Sequence, residues 1–305
     1  MTPSATLEAH ALTKRYRRTT AVDDLSFRVR PGVVTGFLGP NGAGKSTTLR
    51  LFLGLDRPTR GAATVGGLRL AETPRAMRVV GAMLDARAVH PRRTATDHLL
   101  AVARAGGVHR RRVPEVLGLV GLADAAHRPA GELSLGMQQR LGIATALVGD
   151  PGVVILDEPL NGLDPEGIRW ARTLMRDLAS EGRTVLFSSH LMGEMELTAD
   201  HLVVVHHGRL LADQPLTAFV AERTTRRVRA RSPERERLAA ALDRAGVTTR
   251  VDPVAADALD VTGTTTDEVG RIAATTGVAL AELTDVRDSL EEVFLAMTAA
   301  RKDAA

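Results

Sequence analysis

Eight residues, Gly39-Pro-Asn-Gly-Ala-Gly-Lys-Ser46, constrain the fold of this chain more than any other stretch. They fit the pattern G-x-x-x-x-G-K-[ST]. They also lie between an apolar run, Val33 to Leu38, that reads as a strand and a run, Thr47 to Leu53, that reads as a helix. That order predicts a strand, a phosphate-binding loop and a helix within an α/β protein. The glycines let the backbone curl with its N–H groups inward at a helix N-terminus, where the helix dipole favours anionic phosphates. Lys45 then reaches the β- and γ-phosphates, and the Ser46 hydroxyl becomes a magnesium ligand.

At 305 residues the chain has room for about two domains. Hydrophobic residues make up 44% and charged residues 25%, an ordinary globular balance. No apolar run approaches the roughly 18 residues of a membrane span, and the first residues lack a signal-peptide layout, so a cytosolic location is expected. The absence of cysteine excludes disulfides, thiolate metal sites and cysteine nucleophiles. Arginine supplies 37 of the 40 basic residues. Aromatics are only 3% of the chain, poor provision for stacking on bases, so the arginine runs read as solvated surface and no nucleic-acid partner is expected.

Several downstream segments fit one phosphate-handling site. Val153-Val-Ile-Leu156 reads as a strand covered on both faces, and it ends in Asp157-Glu158. Carboxylates at the carboxyl end of such a strand face the ligand crevice; one is placed to hold magnesium with Ser46 and the next to polarise a water. The strand Thr184 to Ser189 ends at His190, which can donate a hydrogen bond to a γ-phosphate or serve as a structural histidine. Ser134 reads as the N-cap of a helix whose Met137, Leu141, Ala144 and Val148 form one buried stripe. Tyr16, the only tyrosine, either packs against its own strand or stacks on the nucleotide base.

Beyond Thr224 the pattern reads as strand 226–231, helix 233–245, strands 247–251 and 258–262, helix 266–276, strand 278–283 and a last helix 289–298. The β-α-β-β-α-β order is that of a small ferredoxin-like unit. The last helix carries Leu290, Val293, Phe294 and Met297 on one face, which must dock on its own domain or on a second copy.

In register, the phosphate loop, Leu133-Ser-Leu-Gly-Met-Gln138, Val153 to Pro159, Gly162-Leu-Asp-Pro165 and His190 resemble the ATP-binding subunits of ABC transporters over residues 6 to 220. Within that family the chain is most similar to subunits of drug and antibiotic exporters of the daunorubicin- and bacitracin-resistance type, which also close on a stretch like Ser289-Leu-Glu-Glu-Val-Phe294. The resemblance implies a P-loop NTPase fold over residues 1–223, with a mixed sheet core and a helical subdomain at about 86–150. A small α+β regulatory or dimerisation domain over 224–305 would follow. It implies ATP and magnesium as cofactors. Gly39, Pro40, Asn41, Gly42, Ala43, Gly44, Lys45, Ser46 and Thr47 would cradle the phosphates, with Tyr16 on adenine. Asp157 would lie on the magnesium side, Glu158 would be the general base and His190 the γ-phosphate switch, while Asp164 would signal between the two sites of a dimer.

Ser134 and Gly136 match the signature that touches ATP held by the other subunit, so two complete sites require two copies, closed by ATP and opened by hydrolysis. Three positions depart from the family pattern: Asp85 stands where glutamine is usual, also on the metal side, and Leu135 and Met137 stand where glycine and glutamine are common. These departures imply modest turnover. The implied partners are a second copy and a separate membrane permease whose coupling helix would seat on the loop from Asp85 to Thr96, which would hold the protein at the cytoplasmic face of the membrane. Two alternatives are a soluble ATPase of the same family acting on ribosomes or DNA, and a regulatory module that binds ATP without turnover.

Overall fold

The computed structural model describes residues 5–223, 227–251, 257–286, 290–294 and 297. The chain divides into two compact units, Met1–Phe219 and Val220–Ala305.

The first unit opens with β1 (Leu7–Tyr16), β2 (Thr19–Val29), β3 (Val34–Leu38), α1 (Lys45–Phe52) and β4 (Arg60–Val65). Next come α2 (Ala76–Val79), β5 (Val80–Met83), α3 (Ala95–Ala105), α4 (Arg112–Leu119) and α5 (Leu135–Leu147). It continues with β6 (Val153–Leu156), α6 (Pro165–Ser180), β7 (Thr184–Ser189), α7 (Met192–Thr198), β8 (His201–His206) and β9 (Arg209–Pro215), after which α8 (Leu216–Arg223) begins. β2, β1 and β4 form an antiparallel sheet in that order. A six-stranded sheet runs β5-β6-β7-β3-β8-β9, parallel except for β9.

Every residue of β3, β6 and β7 is buried, as expected for parallel strands covered on both faces. The two sheets enclose one core with α1, in which Phe27 stacks on Phe37 at 5.4 Å and meets Phe52 edge-on at 5.7 Å. α6 is amphipathic in the ordinary way, burying Ala171, Leu174, Met175 and Leu178.

α5 departs from its expected single stripe. From Leu141 to Leu147 all but Thr145 are buried, and so is Gln139. The reason is that α5 runs along β5 on one side and along α3 and α4 on the other. Its contact with β5 is backbone on backbone: a Cβ at Gly81 would lie 1.8 Å from the Ala146 carbonyl oxygen, so only glycine fits there.

The second unit comprises β10 (Arg227–Arg231), α9 (Arg235–Arg244), β11 (Thr248–Val251), β12 (Ala258–Thr262), α10 (Thr266–Thr276) and β13 (Glu282–Val286). Its antiparallel sheet has the order β11-β12-β10-β13, the arrangement of a β-α-β-β-α-β ferredoxin-like unit. Val228, Leu238, Leu242, Leu259, Val261 and Val269 lie in its core.

Local readings shift in places. The strand expected at 278–283 begins at Glu282, because Gly277 closes α10 in a left-handed conformation and the Val278 N–H bonds back to the Ala273 carbonyl. Val278 is buried there as part of the helix stop. Leu70 lies in a 3-10 turn after β4, and β8 and β9 form a hairpin that extends to Pro215. In the last helix, residues 290–294 are helical with Leu290, Val293 and Phe294 buried, and Met297 is half-buried; its remaining residues, like Arg226, lie outside the described residues. Among the described residues no helix is long and apolar enough to cross a membrane.

Candidate functional site

The parallel strands β5, β6, β7 and β3 are consecutive neighbours and all point the same way. Their carboxyl ends therefore place Asp85, Asp157-Glu158, His190 and the 39–46 loop side by side, at the edge where α/β sheets bind ligands.

The loop leaves β3 and enters α1 at Lys45. Gly44 has φ +96°, and a Cβ there would lie 2.3 Å from the Ala21 carbonyl oxygen; both facts require glycine. Lys45 is 6% exposed. Its ammonium donates to the Gly39 carbonyl at 2.5 Å and the Pro40 carbonyl at 3.4 Å, and lies 3.8 Å from Glu158 Oε1. Burial pulls the Lys45 pKa below its ordinary value, and the Glu158 and Asp157 carboxylates push against that change. Ser46 is exposed at the start of the helix, with Thr47 half-buried beside it.

Asp157 and Glu158 follow β6 on a tightly held backbone. The Asp157 N–H donates to the Met83 carbonyl at 2.7 Å. Ser188 on β7 donates through its hydroxyl to Asp157 Oδ1 in a short bond and accepts the Glu158 N–H at 2.9 Å. Glu158 has φ +52°, a left-handed conformation that a residue with a Cβ holds only when its surroundings impose it. Its Oε2 accepts from His190 Nδ1 at 2.9 Å. A carboxylate has no proton to give, so the ring carries a hydrogen on Nδ1 in this bond.

Ser134, Gly136 and Asp164 occupy a second part of the unit, at the starts of α5 and α6. Ser134 caps α5, accepting the Met137 N–H at 3.2 Å, and Gly136 lies in the first turn of that helix. Leu135 is 42% exposed and its side chain lies over Gly162, where an added Cβ would come within 2.4 Å of Leu135 Cδ2. Asp164 caps α6 by accepting the Gly167 N–H at 2.8 Å. Asp85 is exposed and turns its Oδ1 onto the Arg87 N–H of its own loop at 2.8 Å. Among the described residues no three His, Cys, Asp or Glu side chains gather as a metal cage.

Tyr16 is half-exposed at the end of β1. Its hydroxyl donates to Asp56 at 2.8 Å, and the Lys14 ammonium lies 4.8 Å from its ring centroid. Ser188, Gln139 and Asp56 are contacts of the site that sequence reasoning missed. They are polar side chains in or beside segments that read as strand, core helix and turn, and only the tertiary fold brings them to Glu158, Asp157 and Tyr16.

A phosphate loop entering a helix from the centre of a parallel sheet, with an acidic pair on a nearby strand end, defines a P-loop ATPase. Residues 22–161 match the ABC transporter family, and residues 226–291 match a domain of unknown function, DUF8746. The ABC transporter ATP-binding protein YhcH of Bacillus subtilis (strain 168), described as uncharacterized, is 43% identical over 208 residues, covering 67% of this chain and 68% of that protein. The bacitracin transport ATP-binding protein BcrA of Bacillus licheniformis is 41% identical over 215 residues, 70% of each chain. A solved ATP-binding subunit of an ABC transporter superposes with a TM-score of 0.65 at 31% identity, covering 71% of this chain and 92% of that one. The chain belongs to the ATP-binding subunits of ABC transporters. It is a transport ATPase of the exporter class, and the alternative of an ATPase serving ribosomes or DNA is not favoured.

Proposed function

We propose that this subunit closes with a second copy around two ATP molecules and that hydrolysis powers efflux of a drug or antibiotic through a separate membrane permease. The observation that carries the proposal is the adjacency of the Lys45 loop, Asp157-Glu158 and His190 at neighbouring strand ends. The loop amides and Lys45 hold the β- and γ-phosphates. Glu158 takes a proton from the attacking water, and His190, bonded to Glu158, orients the γ-phosphate.

Magnesium fits the donor set in one place. The Ser46 hydroxyl is exposed at the helix start and Asp157 Oδ1 is committed to Ser188, which leaves Oδ2 and Ser46 to hold the ion against the phosphates, where it would neutralise their charge. Asp85, engaged with its own loop, would act on the metal side only through water or after turning away from Arg87.

Tyr16 presents an exposed ring for adenine, and Ser134 and Gly136 offer a capped helix start to the nucleotide of the second copy, with Asp164 on the neighbouring loop. The permease would seat on the loop after β5, beside a cavity of about 260 Å³ lined by Ala86, Arg87, Val89, Pro91, Gln138 and Leu141, and so hold the subunit at the cytoplasmic membrane face. The likeness to the bacitracin transport protein BcrA supports an antibiotic as cargo. The ferredoxin-like unit serves regulation or dimerisation.

Glu158→Gln tests the proposal. It should keep MgATP binding, lose turnover and accumulate an ATP-bound dimer on size exclusion. Protein that binds MgATP but stays monomeric with this substitution would sink the mechanism.

A further inference from the structure

Glu158 holds a backbone conformation that a non-glycine residue does not choose by itself, so neighbouring groups must fix it. Its N–H is taken by Ser188 at 2.9 Å. Its carbonyl oxygen receives the Asn161 N–H of its own turn at 3.3 Å and, from a distant element, the Gln139 side-chain amide at 3.0 Å. Gln139 is 5% exposed, and a side-chain amide at that depth needs a partner. The bond to Glu158 is thus worth keeping on both sides, since breaking it leaves a buried donor unsatisfied and frees a strained backbone.

The position of Gln139 on its helix gives this bond a second consequence. α5 is capped by Ser134, carries Gly136 in its first turn and carries Gln139 in its second. The same helix therefore bears the signature residues at its exposed end and a direct hydrogen bond to the backbone of the acidic pair on its buried side.

We infer that Gln139 is a positioning residue that ties the placement of Glu158 to the placement of α5, so that seating the Ser134–Gly136 end on the second copy's ATP sets the base against the chain's own ATP. This rests on the proposed roles of Glu158 and of the signature residues. Gln139 touches neither nucleotide; it acts through the Glu158 carbonyl. Losing it leaves the phosphate loop, Tyr16 and the helix cap in place, and so spares binding and dimer closure while slowing the chemical step.

The test uses the full chain with MgATP. Gln139→Met keeps length and volume and removes the donor, and Gln139→Glu keeps the shape and replaces the donor with an acceptor. Each should lower kcat by about tenfold to a hundredfold, the scale of a displacement of about 1 Å in a catalytic group, with KM for ATP changed by less than about threefold. Added to Glu158→Gln, the Gln139→Met change should lower turnover no further and should leave the ATP-trapped dimer intact. A folded variant of either kind with the wild-type kcat would overturn the inference, and so would loss of the trapped dimer, which would place the role of Gln139 in dimer closure. Failure of the underlying reading is visible separately: Glu158→Gln alone would then keep wild-type turnover, whatever the Gln139 variants do.

Discussion

The Tyr16 hydroxyl donates to Asp56 Oδ2 at 2.8 Å, and Arg50 Nε donates to the same oxygen at 2.7 Å. Arg50 and the Tyr16 hydroxyl hold the Asp56 carboxyl below its usual range, while burial and Asp56 push the Tyr16 phenol up, so at neutral pH the pair is a neutral donor on a carboxylate. The ring is thereby anchored from the last turn of α1, the helix that begins at Lys45. If the ring stacks on adenine, Tyr16→Ala should raise KM for ATP by about tenfold, from the ~1–3 kcal/mol of a base–aromatic contact, with kcat little changed. Tyr16→Phe, which keeps the ring and loses the anchor, should raise it by about two- to fivefold. Asp56→Asn in the Tyr16→Phe background should add nothing, and additive losses in that double-mutant cycle would separate Asp56 from the ring.

Ser188 serves both members of the acidic pair, donating to Asp157 and accepting from Glu158. It is fully buried on β7. Ser188→Ala should cost about 1–3 kcal/mol in urea unfolding by stranding the Glu158 N–H, and should lower kcat by about tenfold or more. Unchanged steady-state phosphate release in this variant would contradict the arrangement described for the pair.

His98 on α3 sets a pH limit on stability. The Thr145 hydroxyl donates to the Leu141 carbonyl at 2.9 Å, so its oxygen accepts from His98 Nε2 at 3.0 Å. Burial, and then the charge of Arg93, lower the pKa of His98. The native protein thus binds fewer protons at this ring than the unfolded chain, and its stability contribution, complete above about pH 6.5, is lost as pH falls below that value. The melting temperature should fall between about pH 7.5 and about pH 5.5, and His98→Gln should flatten that slope. An equal slope in both proteins on scanning calorimetry would rule His98 out.

Gly81 meets the Ala146 carbonyl with no room for a side chain. Gly81→Ala should therefore destabilise the first unit by about 3 kcal/mol or more, at the upper end of overpacking costs. Chemical denaturation is the direct check.

Much of this was readable in one dimension. Val153-Val-Ile-Leu156 announced a doubly covered strand because nothing polar interrupts it, and Gly39 to Ser46 announced its own flanks because only one backbone path suits the pattern. The strand ends Asp157-Glu158 and His190 followed from sheet direction alone. The misreadings have a common cause. Val278 looked like the start of a strand because it is apolar and follows a glycine, yet it is spent on closing α10. α5 looked amphipathic because a sequence shows one face at a time, whereas β5, α3 and α4 cover it nearly all round. The contacts of Ser188, Gln139 and Asp56 span 30, 19 and 40 residues, and no local pattern encodes them.

The glycine contact between β5 and α5 is also a fulcrum. From Ala146 to Ser134 the helix measures about 18 Å at ~1.5 Å per residue, so a tilt of about 10° about that point carries the helix start through about 3 Å, the length of one hydrogen bond. Gln139 sits part-way along the same lever arm, where a given tilt yields about half that displacement. A rotation too small to disturb the core beside Gly81 is thus large enough to make or break contacts at the exposed tip.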